Sequence, residues 1–209
     1  MKDPKLFLVS APSGAGKSSL IDAVLTSAKQ SDLALELSIS YTTRSPRKGE
    51  SNGNQYFFIS EEDFINKKNA NFFLEHAEVH GNWYGTSLDF VESKLSSGIN
   101  LILEIDVQGF RQINELDIKY ESIFILPPSI YSLEERIKSR GDEDLEAINL
   151  RLKNAKDELA YANEYKHIII NDLFDDAERE LFKIIAQEKQ LNREKTEEVQ
   201  QFLAQLLSY

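Results

Sequence analysis

A glycine-rich loop between an apolar strand and an apolar helix constrains this chain more than any other stretch. The loop has the letters APSGAGKS at residues 11–18 and directly follows the apolar run Leu6–Ser10. In this context the backbone N–H groups of the loop can surround a polyphosphate, and the positive end of the following helix adds to the attraction. The strict pattern G-x-x-x-x-G-K-[S/T] has Gly where this chain has Ala11. The sequence therefore predicts a nucleotide-binding α/β protein and leaves the reaction open.

Two side chains at the end of the loop have the chemistry to bind phosphate and metal. Lys17 would reach the terminal phosphates of the nucleotide, and the Ser18 hydroxyl would bind Mg²⁺. The following helix is predicted from apolar residues at helical spacing, namely Leu20, Ile21, Val24, Leu25 and Ala28. The residues predicted to surround the polyphosphate are Ser13, Gly14, Ala15, Gly16, Lys17, Ser18 and Ser19.

Composition excludes several classes of protein. The 209 residues suit one compact domain with insertions, and the lack of cysteine excludes disulfides, thiolate catalysis and cysteine-bound zinc. A net charge of −11 argues against general nucleic-acid binding, which needs a basic surface. No stretch approaches the roughly 20 apolar residues of a membrane helix, and the first apolar run is too short for a signal peptide. We therefore expect a cytoplasmic protein that binds neither membranes nor nucleic acid.

Short apolar runs alternate with helical patterns along the chain. Runs at 101–105, 123–126 and 167–170 are typical of buried strands, and the alternation at 37–40 predicts a further strand. This order predicts a parallel sheet covered by helices on both faces, with ligands at the carboxyl ends of its strands. Three later helical regions are predicted. The first begins at the capping-box residues Ser132 and Glu135, and the second covers about 145–165. The third covers 175–209, as one helix or as two with a break near Asn192.

A polar segment after the first helix narrows the reaction. The letters SYTTRSPRKGE at 40–50 place Arg44 and Arg47 three residues apart in a predicted turn, so both guanidinium groups could bind one phosphate. Tyr56 could add a hydroxyl donor. This segment closely resembles the guanylate kinase family, and the letters SAPSGAGKS at 10–18 resemble its bacterial members. In that family the segment belongs to the domain that binds the nucleoside monophosphate.

Further matches to the family run through nearly the whole chain. The letters FLEHA at 73–77 and GNWYGT at 81–86 resemble the region that reads guanine. The resemblance implies that Glu75 accepts hydrogen bonds from the guanine N1–H and 2-amino groups, two adjacent donors that adenine lacks. The residues that it assigns to GMP binding are Ser40 and Thr86 near the base, Arg44, Arg47, Tyr56 and Tyr84 at the phosphate, and Glu75 and Asp106.

The letters EIDVQG at 104–109 resemble the acidic motif at the end of a strand in the same family. Glu104 and Asp106 share one face of that strand, where they could orient waters on Mg²⁺ or bind the base of the acceptor. Of the two, Asp106 is predicted to make the direct contact and to reach the metal through water.

Basic residues beyond residue 130 resemble the lid of the family. Arg140 and Arg151 match the lid arginines, and Arg136 matches a nearby basic position. Asn171 resembles a residue near the adenine of ATP, so Arg136 and Asn171 join the predicted ATP-binding residues. The predicted catalytic residues are Lys17, Arg44, Arg140 and Arg151.

The resemblance implies the three-layer P-loop NTPase fold, with a parallel sheet, an inserted nucleoside-monophosphate-binding domain and a helical lid. The implied reaction is ATP + GMP ⇌ ADP + GDP, with Mg²⁺ on the donor phosphates and dGMP as a further acceptor. The predicted domains are a P-loop core at 1–37, 95–127 and 166–209, a GMP-binding domain at 38–94 and a lid at 128–165.

Two other functions stay open on the sequence. Guanylate-kinase-like domains also serve as protein-interaction modules, typically with a degraded phosphate loop, whereas the loop is intact here. A P-loop kinase with another small acceptor is the second alternative, against which Glu75 argues. The helical tail could also pair with a second copy of the chain, so a homo-oligomer stays open.

Overall fold

The structure is a computed structural model that describes residues 3–79, 81–139, 145–187 and 197–208. The chain divides into two compact units. The first unit comprises Met1–Leu6 and Ala34–Tyr120, and the second comprises Phe7–Leu33 and Glu121–Tyr209.

Strands and helices alternate through the described residues. In chain order they are β1 (Leu6–Ser10), α1 (Lys17–Gln30), β2 (Leu35–Leu37), β3 (Tyr41–Thr42), β4 (Phe57–Phe58), α2 (Glu61–Asn69), β5 (Phe73–Val79), β6 (Asn82–Ser87), α3 (Leu88–Ser96), β7 (Asn100–Glu104), α4 (Val107–Asn114), β8 (Tyr120–Leu126), α5 (Ile130–Lys138), α6 (Leu145–Leu159), β9 (His167–Ile170), α7 (Phe174–Ile185) and α8 (Glu197–Leu207). Within the described residues, one sheet has the strand order β2-β7-β1-β8-β9 and a second has the order β4-β3-β6-β5. In the first sheet β2 is parallel to β7, and β8 is parallel to β9. The predicted α/β class with a parallel sheet is confirmed.

The strand and helix that flank the glycine-rich loop form as predicted. All five residues of β1 are buried. The apolar stripe of α1 buries Leu20, Ile21, Val24 and Ala28, whereas Leu25 is half-buried. Because burial of such a stripe removes apolar surface from water, it fixes the helix that starts at the loop.

Helices α5 and α6 pack on each other in the second unit. Their shared core contains Leu133, Ile137 and Ala155. Helix α5 begins earlier than predicted, because its N-cap is Ser129 and not Ser132. The Ser129 hydroxyl accepts a hydrogen bond from the Ser132 N–H at 3.0 Å, which satisfies a donor of the first turn.

The second sheet lies in the first unit and contains an irregularity beside a candidate site residue. Strand β5 is antiparallel to β6, which is antiparallel to β3. The register of β5 and β6 shifts by one residue between Phe73 and Glu75, after which Glu75 lies opposite Thr86. Such bulges redirect side chains. Among the described residues, β5 is an edge strand of this sheet.

The prediction of a strand at 37–40 is wrong. Strand β2 ends at Leu37 and β3 begins at Tyr41, because the chain passes from one sheet to the other. The Ser38 N–H still donates to the Ile102 carbonyl of the first sheet at 2.8 Å. The Ser40 carbonyl, two residues on, accepts from the Phe57 N–H of the second sheet at 2.9 Å.

Helix α4 has no counterpart in the sequence prediction. It is eight residues long and includes Gly109, a poor helix former, so its sequence pattern is weak. The C-terminal region contains α7 and α8, and the point near Asn192 lies outside the described residues. None of the helices in the described ranges has the length and apolarity that crossing a membrane requires.

Candidate active site

The glycine-rich loop turns at two positions where the backbone conformation favours glycine. Gly14 and Gly16 both have φ of +92°, in the region that favours glycine. A Cβ at Gly14 would lie 3.2 Å from Cγ1 of Ile137, and a Cβ at Gly16 would collide with Nδ2 of Asn171. The backbone conformation therefore favours glycine at both positions, and the close approach of Asn171 adds a steric reason at Gly16.

Two donors hold the loop through a single carbonyl. Asn171 follows β9 and is 4% exposed, and its Nδ2 donates to the Ala15 carbonyl at 2.7 Å. Nη1 of Arg136, on α5, donates to the same oxygen at 3.4 Å. Because the N–H and C=O of a trans peptide point in opposite directions, the Gly16 N–H faces away from these donors. Asn171 thus orients the loop peptide, and a contact with adenine stays a prediction.

The first turn of α1 presents the positive end of its dipole without a neutralising side chain. Its N-cap is Gly16, no side chain caps the helix, and no acidic residue lies in the first turn. Backbone N–H groups at such a turn can bind an anion. Ser13 and Lys17 are half-buried, and Ser18 and Ser19 are exposed.

The donor groups around the loop fit a magnesium ion that binds together with a nucleotide. In the part of the chain that the structure describes, no cluster of three or more His, Asp or Glu residues could hold a metal ion. Mg²⁺ in phosphate loops is instead bound by phosphate oxygens, waters and one hydroxyl of the first helical turn. The Ser18 hydroxyl is exposed in that turn.

In the first unit, a carboxylate that the sequence analysis did not single out fixes Arg44. Nη2 of Arg44 lies 2.9 and 3.0 Å from the two carboxylate oxygens of Glu50, and Nη1 donates to the Ser45 carbonyl at 2.8 Å. Glu50 also accepts from the Arg47 N–H at 2.7 Å, while the Arg47 side chain is exposed. The hydrogen bonds between the two side chains raise the pKa of Arg44 and lower the pKa of Glu50. Both groups are therefore charged at neutral pH.

The guanidinium of Arg44 also packs on aromatic rings. It lies 5.3 Å from the ring centroid of Tyr56 and 5.7 Å from that of Phe58. The ring of Tyr56 lies 5.8 Å from that of Tyr84. Burial, with a smaller effect of the Glu104 charge, raises the pKa of Tyr56 to about 12, so its hydroxyl is a donor at neutral pH. The structure thus brings together Arg44, Tyr56 and Tyr84, three of the residues predicted to bind the acceptor phosphate.

The carboxylate predicted to read guanine is buried. Glu75 is 5% exposed, and its Oε1 accepts a hydrogen bond from the Thr86 hydroxyl at 2.6 Å. Burial raises the pKa of Glu75 to about 7, the hydrogen bond from Thr86 opposes this shift, and the charge of Asp106 adds to it. A buried carboxylate of this kind has a strong need for N–H donors when it is ionised. Ser40, also assigned to the base, is half-buried before β3.

Asp106 has a structural role in addition to the role predicted for it. It is the N-cap of α4, where Oδ1 accepts from the Gly109 N–H at 2.8 Å and Oδ2 accepts from Nε2 of Gln108 at 3.2 Å. A carboxylate has about four acceptor sites, so these bonds leave capacity for a ligand. Its contacts with GMP and with metal-bound water stay predictions.

The predicted lid arginines are only partly covered by the structure. Arg151 lies on α6 and is half-buried. Arg136 lies on α5 and reaches the loop carbonyl of Ala15. Arg140 lies outside the described residues.

Three residues beside the predicted site are absent from the sequence prediction. Glu50 closes the turn that carries Arg44, and its position three residues after Arg47 is the signal that could have found it. Gly109 and Gln112 lie on α4 against β5. Recognising Asp106 as an N-cap, with Phe110 and Ile113 on one helical face, would have located that helix.

The strand, glycine-rich loop and helix, in an α/β fold with a parallel sheet, define a P-loop nucleotide-binding protein. The sequence model of one family, described as Guanylate kinase, matches residues 3–188. The chain belongs to the guanylate kinase family. This confirms the predicted P-loop NTPase fold of that family.

Relatives with curated names agree with this assignment. The guanylate kinase of Hahella chejuensis is 49% identical over 185 residues, which cover 88% of this chain and 87% of the relative. That of Mannheimia succiniciproducens is 45% identical over 209 residues and is covered completely, as is this chain. A crystal structure of guanylate kinase from Anaplasma phagocytophilum is 28% identical and superposes with a TM-score of 0.71, covering 91% of this chain and 90% of that one.

Proposed function

We propose that this chain transfers the γ-phosphoryl group of ATP to GMP, giving ADP and GDP, and that it accepts dGMP as well. Membership of the guanylate kinase family supports this reaction. The observation that carries the choice of acceptor is the buried carboxylate of Glu75, bonded to the Thr86 hydroxyl.

Guanine presents its N1–H and 2-amino groups side by side, and an ionised Glu75 would accept from both. AMP offers neither donor and would leave the carboxylate buried without a ligand partner. Sites that bind a substrate donor in this way reject analogues that lack it by roughly 10⁴-fold. Ser40 and Thr86 would add hydroxyls near the base, and Asp106 a second carboxylate.

The acceptor phosphate would be bound by Arg44 and Arg47, with Tyr56 and Tyr84 as hydroxyl donors. The pairing of Arg44 with Glu50 supports a fixed guanidinium orientation. The attacking group of GMP is already an anionic phosphate oxygen, so the reaction needs no general base. Catalysis then consists of positioning the two phosphates in line and neutralising their charge.

On the donor side, the loop residues 13–19 would surround the phosphates of ATP. Lys17 would neutralise the transferring phosphoryl group, with further positive charge from Arg136, Arg140 and Arg151. In phosphoryl transfer, one arginine of this kind contributes roughly 10³–10⁵-fold in rate. Asn171 would lie near the adenine.

We also propose that ATP binds with Mg²⁺, which would neutralise charge across the β- and γ-phosphates when bound. Ser18 would hold the ion by its hydroxyl, and Asp106 would reach it through water. The domain organisation that we propose is the one expected from the sequence: a core at 1–37, 95–127 and 166–209, a GMP-binding domain at 38–94 and a lid at 128–165. We also propose a cytoplasmic location and no nucleic-acid or membrane partner. A homo-oligomer formed through the helical tail stays open.

The two alternative functions have less support. A protein-interaction module does not need the two loop glycines in left-handed conformations or the uncapped start of α1, and this chain has both. Against a P-loop kinase with another small acceptor, the buried carboxylate of Glu75 suits the two adjacent donors of guanine.

The experiment that tests the proposal measures ADP formation from ATP and Mg²⁺ with GMP, dGMP, AMP, CMP or UMP as acceptor. We expect kcat/KM for GMP and dGMP to exceed that for the other three by at least about 10³-fold. Preference for any other monophosphate would contradict the acceptor assignment. Absence of transfer to all five would contradict the enzyme assignment.

A further inference from the structure

Helix α4 lies against the edge strand that carries Glu75. It begins at its N-cap Asp106 and packs on β5 within the first unit. No strand pairs with the outer edge of β5 among the described residues, so the polar groups of that edge need other partners. Helix α4 supplies partners for one residue of that edge, His76.

The side-chain amide of Gln112 replaces a neighbouring strand at one residue. Its Oε1 accepts from the His76 N–H at 3.1 Å, and its Nε2 donates to the His76 carbonyl at 2.6 Å. Both backbone groups of the residue directly after Glu75 are thereby fixed by one side chain. The backbone that carries the carboxylate is thus held on one side by Thr86 and on the other by α4.

One turn earlier on α4, Gly109 faces the carboxylate itself. A Cβ on Gly109 would lie 2.5 Å from Oε2 and 3.1 Å from Cδ of Glu75. Gly109 is buried in a helix and is not among the glycines with positive φ, so its backbone conformation does not require glycine. Glycine is unfavourable in a helix compared with alanine. Space for the carboxylate is the requirement that remains.

We infer that Gly109 and Gln112 are positioning residues for guanine recognition: Gln112 fixes the backbone beside Glu75, and Gly109 leaves the space in which its carboxylate can present both oxygens to the base. This inference rests on the proposed function. In this role both residues act through Glu75 and not by contact with the substrate.

Comparing GMP with inosine monophosphate, whose base is hypoxanthine, distinguishes this positioning role from a general contribution to the fold. GMP offers the carboxylate two donors, whereas inosine monophosphate (IMP) has the N1–H and lacks the 2-amino group. If the carboxylate is displaced so that it can no longer accept from both donors, the enzyme loses more affinity for GMP than for IMP. Loss of fold would instead reduce the use of both acceptors and of ATP together.

The test compares steady-state kinetics of the wild-type chain, Gly109→Ala and Gln112→Met with ATP and either GMP or IMP. For Gly109→Ala we expect KM for GMP to rise roughly 10- to 100-fold, the range for loss of a hydrogen bond to a charged group. The ratio of kcat/KM for GMP to that for IMP falls about tenfold or more, while KM for ATP and kcat at saturating GMP change less than about twofold. Gln112→Met, which removes the amide from a side chain of similar length, raises KM for GMP roughly 3- to 10-fold in the same pattern.

Glu115→Ala is the matched control, because Glu115 is the exposed C-cap of the same helix. It should behave as wild type. An unchanged KM for GMP and an unchanged GMP-to-IMP ratio in Gly109→Ala would overturn the role of Gly109, and the same result in Gln112→Met would overturn that of Gln112. An equal fold decrease in kcat/KM for GMP and for IMP would also overturn the inference. A wild-type chain that does not use GMP would instead refute the proposed function.

Discussion

The Thr86 hydroxyl donates a 2.6 Å hydrogen bond to the Glu75 carboxylate, and both side chains are buried opposite each other on β5 and β6. The bond favours the ionised form of Glu75, yet burial has the larger effect and raises its pKa to about 7. The group that would read guanine therefore titrates near neutral pH. Guanine binding by Glu75 would require the ionised form, because a protonated oxygen donates where the base also donates.

We predict from this that KM for GMP depends on pH through Glu75. Well above pH 7 the carboxylate is ionised and its contribution to KM is constant. Below this value KM rises, by about tenfold for each pH unit, because only the ionised fraction binds. The measurement is KM for GMP between pH 5.5 and 8.5, with KM for ATP from the same experiments.

The phosphate of GMP also titrates, with a second pKa near 6. Glu75→Gln separates the two effects, since glutamine does not titrate at this position and the ligand is unchanged. Its KM for GMP should be higher than wild type at pH 8 and should show only the ligand titration at lower pH. Identical pH profiles for both proteins would show that Glu75 does not titrate in this range.

A second prediction concerns Glu50, which binds the guanidinium of Arg44 through both oxygens and the N–H of Arg47. In Glu50→Ala, Arg44 loses the carboxylate that fixes the orientation of its guanidinium group, which weakens phosphate binding. Removal of the negative charge partly offsets this loss of affinity. We expect KM for GMP to rise roughly 3- to 10-fold, with KM for ATP unchanged. Glu78→Ala, an exposed change on β5, is the control. A lower KM for GMP would mean that Glu50 competes with the phosphate for Arg44.

The parts of the fold that depend on local pattern could be predicted from the sequence. The buried strand β1, the loop and the stripe of α1 lie close together in the chain, and their glycine and apolar spacing is distinctive. The segment at 37–40 could not be assigned in the same way, because its two ends bond to different sheets. An alternating pattern does not reveal which partner each residue has.

The candidate site likewise contains residues that local motifs predict and contacts that only packing between elements reveals. Arg44 and Glu75 are both predicted from motifs, and Glu50, which fixes Arg44, lies only six residues further along the same motif. The contacts beside Glu75 come instead from helix α4, which is distant in sequence. Gln112 reaches His76 across 36 residues of sequence, and Gly109 matters through an atom that it lacks. Such roles depend on packing between elements, which residue spacing alone does not specify.

A third prediction tests the loop through Lys17, the first residue of α1. Lys17→Ala removes the charge that would neutralise the transferring phosphoryl group, and we expect kcat to fall by at least about 10³-fold. Circular dichroism and thermal unfolding should match wild type, because Lys17 is only half-buried. Lys29→Ala, in the last turn of the same helix, is the control and should keep wild-type kcat. Near-normal turnover of Lys17→Ala would remove the loop from the catalytic site.

The last prediction concerns Asn171, whose side-chain amide binds the loop carbonyl of Ala15, on the side opposite the Gly16 N–H. Its Nδ2 donates to the Ala15 carbonyl at 2.7 Å, and the side chain is 4% exposed. In Asn171→Ala this carbonyl loses its short hydrogen bond, which lowers the free energy of unfolding by roughly 1–3 kcal/mol. The loop peptide is then free to rotate, so KM for ATP should rise severalfold while KM for GMP stays unchanged. Asp172→Ala alters the exposed neighbour and should change neither quantity. Denaturant unfolding together with KM for both substrates decides the outcome, and a rise in KM for GMP alone would contradict this role of Asn171.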